Sequence, residues 1–174
     1  MALQALTAGN TMRSASLIGA GVVVAFCLVM TSAHTESASP FTKLAGAWTG
    51  GGTIELANGT REPIRCKAAY DVLANDNNLQ LNIRCASDSY NFEMLASATL
   101  ASNAISGNWS EASRNVAGKI SGTASGDHID VVADSAAFSA SLALTTHGDR
   151  QSVVIKSKEA NTTVKGATIS LQRS

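Results

Sequence analysis

From residue 44 to residue 173, apolar or small side chains recur at every second position in one short run after another, with glycine, asparagine or aspartate between the runs. That period belongs to strands with one buried face, and no helical period competes with it after residue 42. In the first run Leu44, Gly46, Trp48, Gly50, Gly52, Ile54 and Leu56 share one face, opposite Thr49, Thr53 and Glu55. In the second, Ile64, Cys66, Ala68, Tyr70 and Val72 oppose Arg65, Lys67 and Asp71. In the third, Leu79, Leu81, Ile83 and Cys85 oppose Gln80, Asn82 and Arg84. Both cysteines therefore face inward.

Their register can be tested against the turn between them, because opposed residues in an antiparallel hairpin have numbers that add to a constant. A two-residue loop at Asn75-Asp76 opposes Ala74 to Asn77, and the pair Cys66 and Cys85 gives the same total, 151. Asparagine and aspartate also tolerate the positive φ angles of such a loop. Turn chemistry and cysteine spacing thus choose one register and predict a Cys66–Cys85 disulfide.

Seven further runs continue the inward pattern through Tyr90-Phe92-Met94, Ile105-Gly107-Trp109, Val116-Gly118-Ile120, Ile129-Val131, Phe138-Ala140-Leu142-Leu144, Val153-Ile155 and Ile169-Leu171. Ten strands with no helix to cover a sheet face predict an all-β domain at 43–174, a single antiparallel sheet closed into an up-and-down barrel. A two-sheet β-sandwich is the alternative. The first hairpin carries an anomaly: a two-residue loop at Asn58-Gly59 would set the inward parities of its strands against each other. A bulge at Gly50 to Gly52, or a three-residue loop through Thr60, repairs it. A barrel spanning an outer membrane is excluded, because the outward positions include Glu55, Arg65, Lys67, Asp71, Arg84, Glu93 and Lys119 rather than an apolar band.

Upstream of the strands, Arg13 is the only charge before Glu36, and residues 17–30 read LIGAGVVVAFCLVM. Fourteen uncharged residues suit a signal-peptide core better than a membrane span, and Thr31-Ser32-Ala33 supplies small residues for cleavage. We read 1–33 as a signal peptide and 34–42 as a flexible mature N-terminus, with an uncleaved membrane anchor as the alternative and Met12 as a second candidate start. Lipid attachment at Cys27 is disfavoured by Phe26, where a small residue is needed. Export to the periplasm or beyond fits an even pair of remaining cysteines oxidised to a disulfide.

The stretch Gly46-Ala47-Trp48 on the first strand, with Arg173 on the inward parity of the last, resembles the calycin superfamily of lipocalin and avidin type barrels. The resemblance implies that Trp48 lies at a closed barrel end beneath the Arg173 guanidinium, both in structural roles. Gly107-Asn108-Trp109 repeats the motif. The runs LAGAWTGGGTIEL, IRCASDSY and GNWSEASRNVAGKISG also make the chain similar to uncharacterised small exported proteins of alphaproteobacteria, which implies location and fold rather than activity.

Chemistry is sparse. Thirteen basic and thirteen acidic side chains give zero net charge, leaving no field for a nucleic-acid backbone. Gly-x-Ser-x-Gly is absent, and His34, His128 and His147 are scattered, so no hydrolase triad can be drawn. Asp127, His128 and Asp130 read as a solvated turn rather than a metal site, since adjacent strand residues face opposite ways. Gly50-Gly51-Gly52 lacks the sequel of a phosphate loop. No cofactor, no metal and no catalysis are expected. Asn58, Asn108 and Asn161 open glycosylation sequons that matter only in a eukaryotic source.

Polar residues do gather at strand ends. Counting strands up and down places the loops at 57–61, 86–89, 111–114, 134–135 and 157–161 at the end opposite Trp48. Trp109, Tyr90, Asp88, Glu111 and Arg114 would meet there as a ligand-binding rim, the bland reading being a solvated edge with Glu111 and Arg114 paired across a turn. The function expected is binding by a monomer: a small apolar or amphipathic ligand at the barrel mouth or, alternatively, a protein partner met by the loops of an inhibitor or interaction module. Interior volume discriminates, because a filled core would leave only surface recognition.

Overall fold

Each alternating run becomes a strand, and the short connections leave every strand beside its sequence neighbours. In the computed structural model, which describes residues 38–174, these are β1 (Gly46–Leu56), β2 (Arg61–Leu73), β3 (Asn78–Ala86), β4 (Asn91–Ala101), β5 (Ala104–Glu111), β6 (Val116–Ser125), β7 (His128–Asp134), β8 (Ser139–His147), β9 (Arg150–Ser157) and β10 (Val164–Arg173). All neighbours pair antiparallel and β10 returns to pair with β1, so the sheet is a closed ten-strand barrel and not a sandwich. The proposed signal segment 1–33, with Met12 and Cys27, and His34 lie outside the described residues. Among those described, no helix is long and apolar enough to cross a membrane. The outer face carries Arg65, Lys67, Asp71, Arg84 and Lys119 in exposed positions.

The second hairpin has the register read from the sequence. Cys66 opposes Cys85 with Cα atoms 4.1 Å apart, and the two form a disulfide. Asn75 and Asp76 take φ of 66° and 56° at the turn. The first hairpin resolves its parity conflict by an odd loop. Leu56 donates to the Thr60 carbonyl at 2.9 Å and Gly59 has a φ of 82°, so the loop is 57–59 and does not extend through Thr60. The expected bulge at Gly50 to Gly52 is absent, for β1 pairs there without interruption on both sides, and its one irregularity falls between Glu55 and Leu56 against β10. Glycine serves a different purpose at those positions. A Cβ on Gly50 would lie 2.0 Å from the Ser170 carbonyl oxygen, and one on Gly52 1.9 Å from that of Thr168. The two strands approach too closely for any side chain, as a sharply curved barrel wall requires.

At the end of the segment 34–42, residues Pro40–Lys43 form a short helical turn. This 3₁₀ turn follows Ser39, whose Oγ accepts from the Phe41 N–H at 3.3 Å. It drives Phe41 and Leu44 into the barrel end, where they are 1% and 2% exposed. Serine followed by proline is a helix-start signal that marks this turn in the sequence.

Candidate functional site

The barrel has one end plugged and an interior that its side chains do not fill. At the plugged end Trp48 is fully buried, its Nε1 donates to the Leu44 carbonyl at 2.7 Å, and the Arg173 guanidinium carbon lies 4.3 Å from the centre of its ring. Arg173 also donates to the carbonyls of Ala45 and Lys43 and to Asp149, so it ties the N-terminal turn to the last strand. Deeper in, Tyr70 donates to Gln151 Oε1 at 2.8 Å and Gln151 Nε2 donates to Thr146 at 3.2 Å. Burial pushes the Tyr70 phenol well up, against a smaller opposing effect of Gln151. Outside this end, Asp127 accepts from Lys43 and pairs with His147 at 2.8 Å, and its carboxyl is held below its ordinary range chiefly by the Lys43 hydrogen bond. His128 bonds Thr145 instead.

Above that plug lies a cavity of about 200 Å³, and its wall is almost wholly apolar. Leu81, Met94, Ile120, Val131, Leu142 and Ile155 represent its aliphatic lining, while Trp109, Phe138, Tyr90 and Phe92 supply aromatic surface toward the open end. Alanine at inward positions leaves the space: Ala96 faces Trp109 on β5 and Ala98 faces Gly107, and both alanines line the cavity. Larger side chains at those two positions would fill the centre. A Cβ on Gly107 or Gly118 would instead meet the carbonyl oxygen of Ser97 or Asp134 on the neighbouring strand, at 2.0 and 1.9 Å.

Of the five residues expected at the mouth, Trp109 and Tyr90 line the cavity, whereas Asp88, Glu111 and Arg114 do not. Trp109 is no rim residue. It sits one inward position below Glu111, the last residue of β5, is 5% exposed, and meets Phe138 edge-on at 6.1 Å between ring centres. Glu111 is likewise buried and serves the β5–β6 turn: its carboxylate accepts from the N–H groups of Glu93, Ser113 and Arg114 at 3.1, 3.0 and 2.8 Å. The Arg114 side chain pairs with it at 3.4 Å and covers the Tyr90 ring at 4.2 Å. Burial pushes the Tyr90 phenol up, with Arg114 opposing the rise. Asp88 is exposed, between two serines that both bond Glu62 rather than any cavity residue. The polar rim is thus a set of braced turns, and the apolar space lies beneath it.

Glu111 yields a pH prediction. Burial raises its pKa, but the hydrogen bonds from Glu93, Ser113 and Arg114 together outweigh burial and hold the carboxyl below its ordinary 4.5. A depressed folded-state pKa means that the stabilisation is complete above 4.5 and is lost as pH falls through the lower folded value. Glu111→Gln is expected to cost about 1–3 kcal/mol at neutral pH and to flatten the acid side of a stability-versus-pH profile. A variant profile parallel to that of the unsubstituted protein below pH 4.5 would refute this.

No family model matches the chain, and no curated relative matches it. Solved structures share its fold, two of them as follows. The crystal structure of Rv2717c from M. tuberculosis superposes with a TM-score of 0.61 at 12% identity, over 76% of this chain and 94% of that one. The S-type phycobiliprotein lyase CPES from Guillardia theta gives a TM-score of 0.55 at 10% identity, over 77% and 90%. At such identities the likeness is one of architecture: the chain folds as a calycin-like closed barrel.

Proposed function

We propose that this chain is an exported, non-catalytic binding domain that holds a small apolar molecule inside its barrel. The observation that carries the reading is the cavity of about 200 Å³ with its apolar wall. An engineered apolar cavity of about 150 Å³ stays dry and takes up benzene, so this one, at about 200 Å³, suits a ligand of roughly eight non-hydrogen atoms. The unfilled interior favours a carrier over recognition by loops alone. The phycobiliprotein lyase among the neighbours has an activity on the same architecture. The cavity lining offers Ser157 as its one aliphatic hydroxyl, engaged by the Glu159 backbone N–H at 3.1 Å, and includes no histidine or carboxylate side chain, which supports a binding reading. The disulfide suits an oxidising compartment, and the uncharged run at residues 17–30 supports the same location.

A thermal-shift titration with toluene tests this. At tenfold excess over the dissociation constant, a ligand specific for the folded state adds about 1.4 kcal/mol, or about 3–5 °C in a domain of this size. Ala98→Leu, which places three more carbons where Ala98 faces Gly107, is expected to abolish the shift while leaving the unliganded melt unchanged or higher. No shift with toluene or larger monocyclic hydrocarbons would refute an interior binding site.

A further inference from the structure

Two turns at the open end of the barrel share one build, and each closes on an aromatic residue that lines the cavity. In the turns at 87–90 and 135–138 the serine N–H donates to the carbonyl of the aromatic residue, at 2.7 and 2.8 Å, and the serine Oγ accepts from that residue's N–H, at 3.1 and 3.0 Å. The backbones of Tyr90 and Phe138 are therefore held alike, and the two differ in what meets their rings. Phe138 packs edge-on against Trp109, which is buried. The Tyr90 ring is faced by the Arg114 guanidinium, 4.2 Å from its centre, and Arg114 is 41% exposed and does not line the cavity. Tyr90 thus stands between the cavity and a solvated cation. Resting on the interior-binding reading above, we propose that Tyr90 is the gate of the cavity and Arg114 its latch: a ligand passes as the Tyr90 ring swings outward, and the pair sets the rate of exchange rather than the affinity.

Other routes are shut. Every strand pairs with both its neighbours, so the wall has no gap, and Trp48, Phe41 and Leu44 seal the plugged end with at most 2% exposure. Passage therefore crosses the turns of the open end. Of the two aromatic residues there, Tyr90 is the one free to move. It is half-buried, and rotation about its first side-chain torsion carries the ring into water while the turn's backbone hydrogen bonds stay intact. The same motion of Phe138 would strip the edge-on contact from a buried indole. The latch is itself positioned. Arg114 Nη1 donates to the Asn91 carbonyl at 3.1 Å and pairs with the Glu111 carboxylate at 3.4 Å, which keeps the guanidinium over the ring. A cation stacked on a ring in water is held weakly, so this closure can open on the timescale of ligand exchange.

Fluorobenzene is small enough for the cavity and reports both rates through ¹⁹F exchange spectroscopy. With the disulfide-bonded protein, Arg114→Ala is expected to raise the association and dissociation rates together, each by about two- to fivefold, and to leave the dissociation constant nearly unchanged. Arg65→Ala, which removes an exposed cation from the outer wall, should change neither rate. In the unsubstituted protein the ¹³C-labelled ring of Tyr90 is expected to show exchange on the microsecond-to-millisecond scale, and that of Phe138 none. Unchanged rates in a folded Arg114→Ala protein, or a Tyr90 ring as static as that of Phe138, would overturn the gate and leave interior binding standing. So would a weaker affinity at an unchanged association rate, which would make Arg114 a support of the bound state. Failure of fluorobenzene to bind would overturn both readings. The ring measurement needs no substitution, so it decides the matter even if Arg114→Ala does not fold.

Discussion

Replacing Trp48 by alanine is expected to cost the barrel about 3–5 kcal/mol, seen as a fall of about 10–20 °C in the melting midpoint. Three losses combine. The indole is fully buried, so its removal opens a large void in the plugged end. The Leu44 carbonyl loses its donor, and Arg173 loses the ring beneath it while it still holds Lys43 and Ala45. The N-terminal turn that seats Phe41 and Leu44 is fastened through these contacts, so the damage reaches the whole plug. Trp109→Ala is expected to be milder although Trp109 is almost as deeply buried. Its removal enlarges a space that is already empty and deletes a donor that had no partner. Paired thermal melts decide: a greater loss from Trp109→Ala would show that Trp109, not Trp48, organises the core.

That contrast also shows what the sequence could and could not convey. Alternation assigns each residue to a face, and it did so well, because a shift of one residue exposes an entire apolar set. Strand number, closure and the Cys66–Cys85 register followed from it. Alternation does not give depth along the barrel axis, which depends on stagger between strands, and so Trp109 was expected at the rim when it lies one inward position below it. Asp88 shows a different limit. A charge in a loop near the opening is indistinguishable in sequence from one facing the cavity, and only the bonds of Ser87 and Ser89 to Glu62 show which way that loop is braced. The burial of Glu111 was written in its inward parity with Trp109, but three backbone donors converging on a turn carry no sequence signature. Emptiness of the core is visible only in outline, as alanine at the inward positions 96 and 98. Whether neighbours close such gaps is a matter of curvature.

Removing the disulfide is expected to lower stability by about 3 kcal/mol on the chain-entropy estimate, because the cross-link joins residues 19 apart in sequence. Reduction of the intact protein and the double substitution Cys66→Ala with Cys85→Ala should agree in direction, the substitution costing somewhat more since both side chains are buried and Cys85 lines the cavity. Topology should survive either change. The turn at Asn75 and Asp76 already takes the left-handed backbone angles that set the register, and Cys66 and Cys85 are held between Gly50 on β1 and Phe92 on β4 by continuous strand pairing. The reduced barrel is therefore expected to melt about 8–15 °C lower yet to bind toluene with nearly unchanged affinity at temperatures below its melt. A reduced protein that melts as the oxidised one does would show that the bridge only records a register fixed by the turn. One that loses ligand binding while still folded would show that the bridge also shapes the cavity wall, because Cys85 sits beside the aromatic cluster through Phe92.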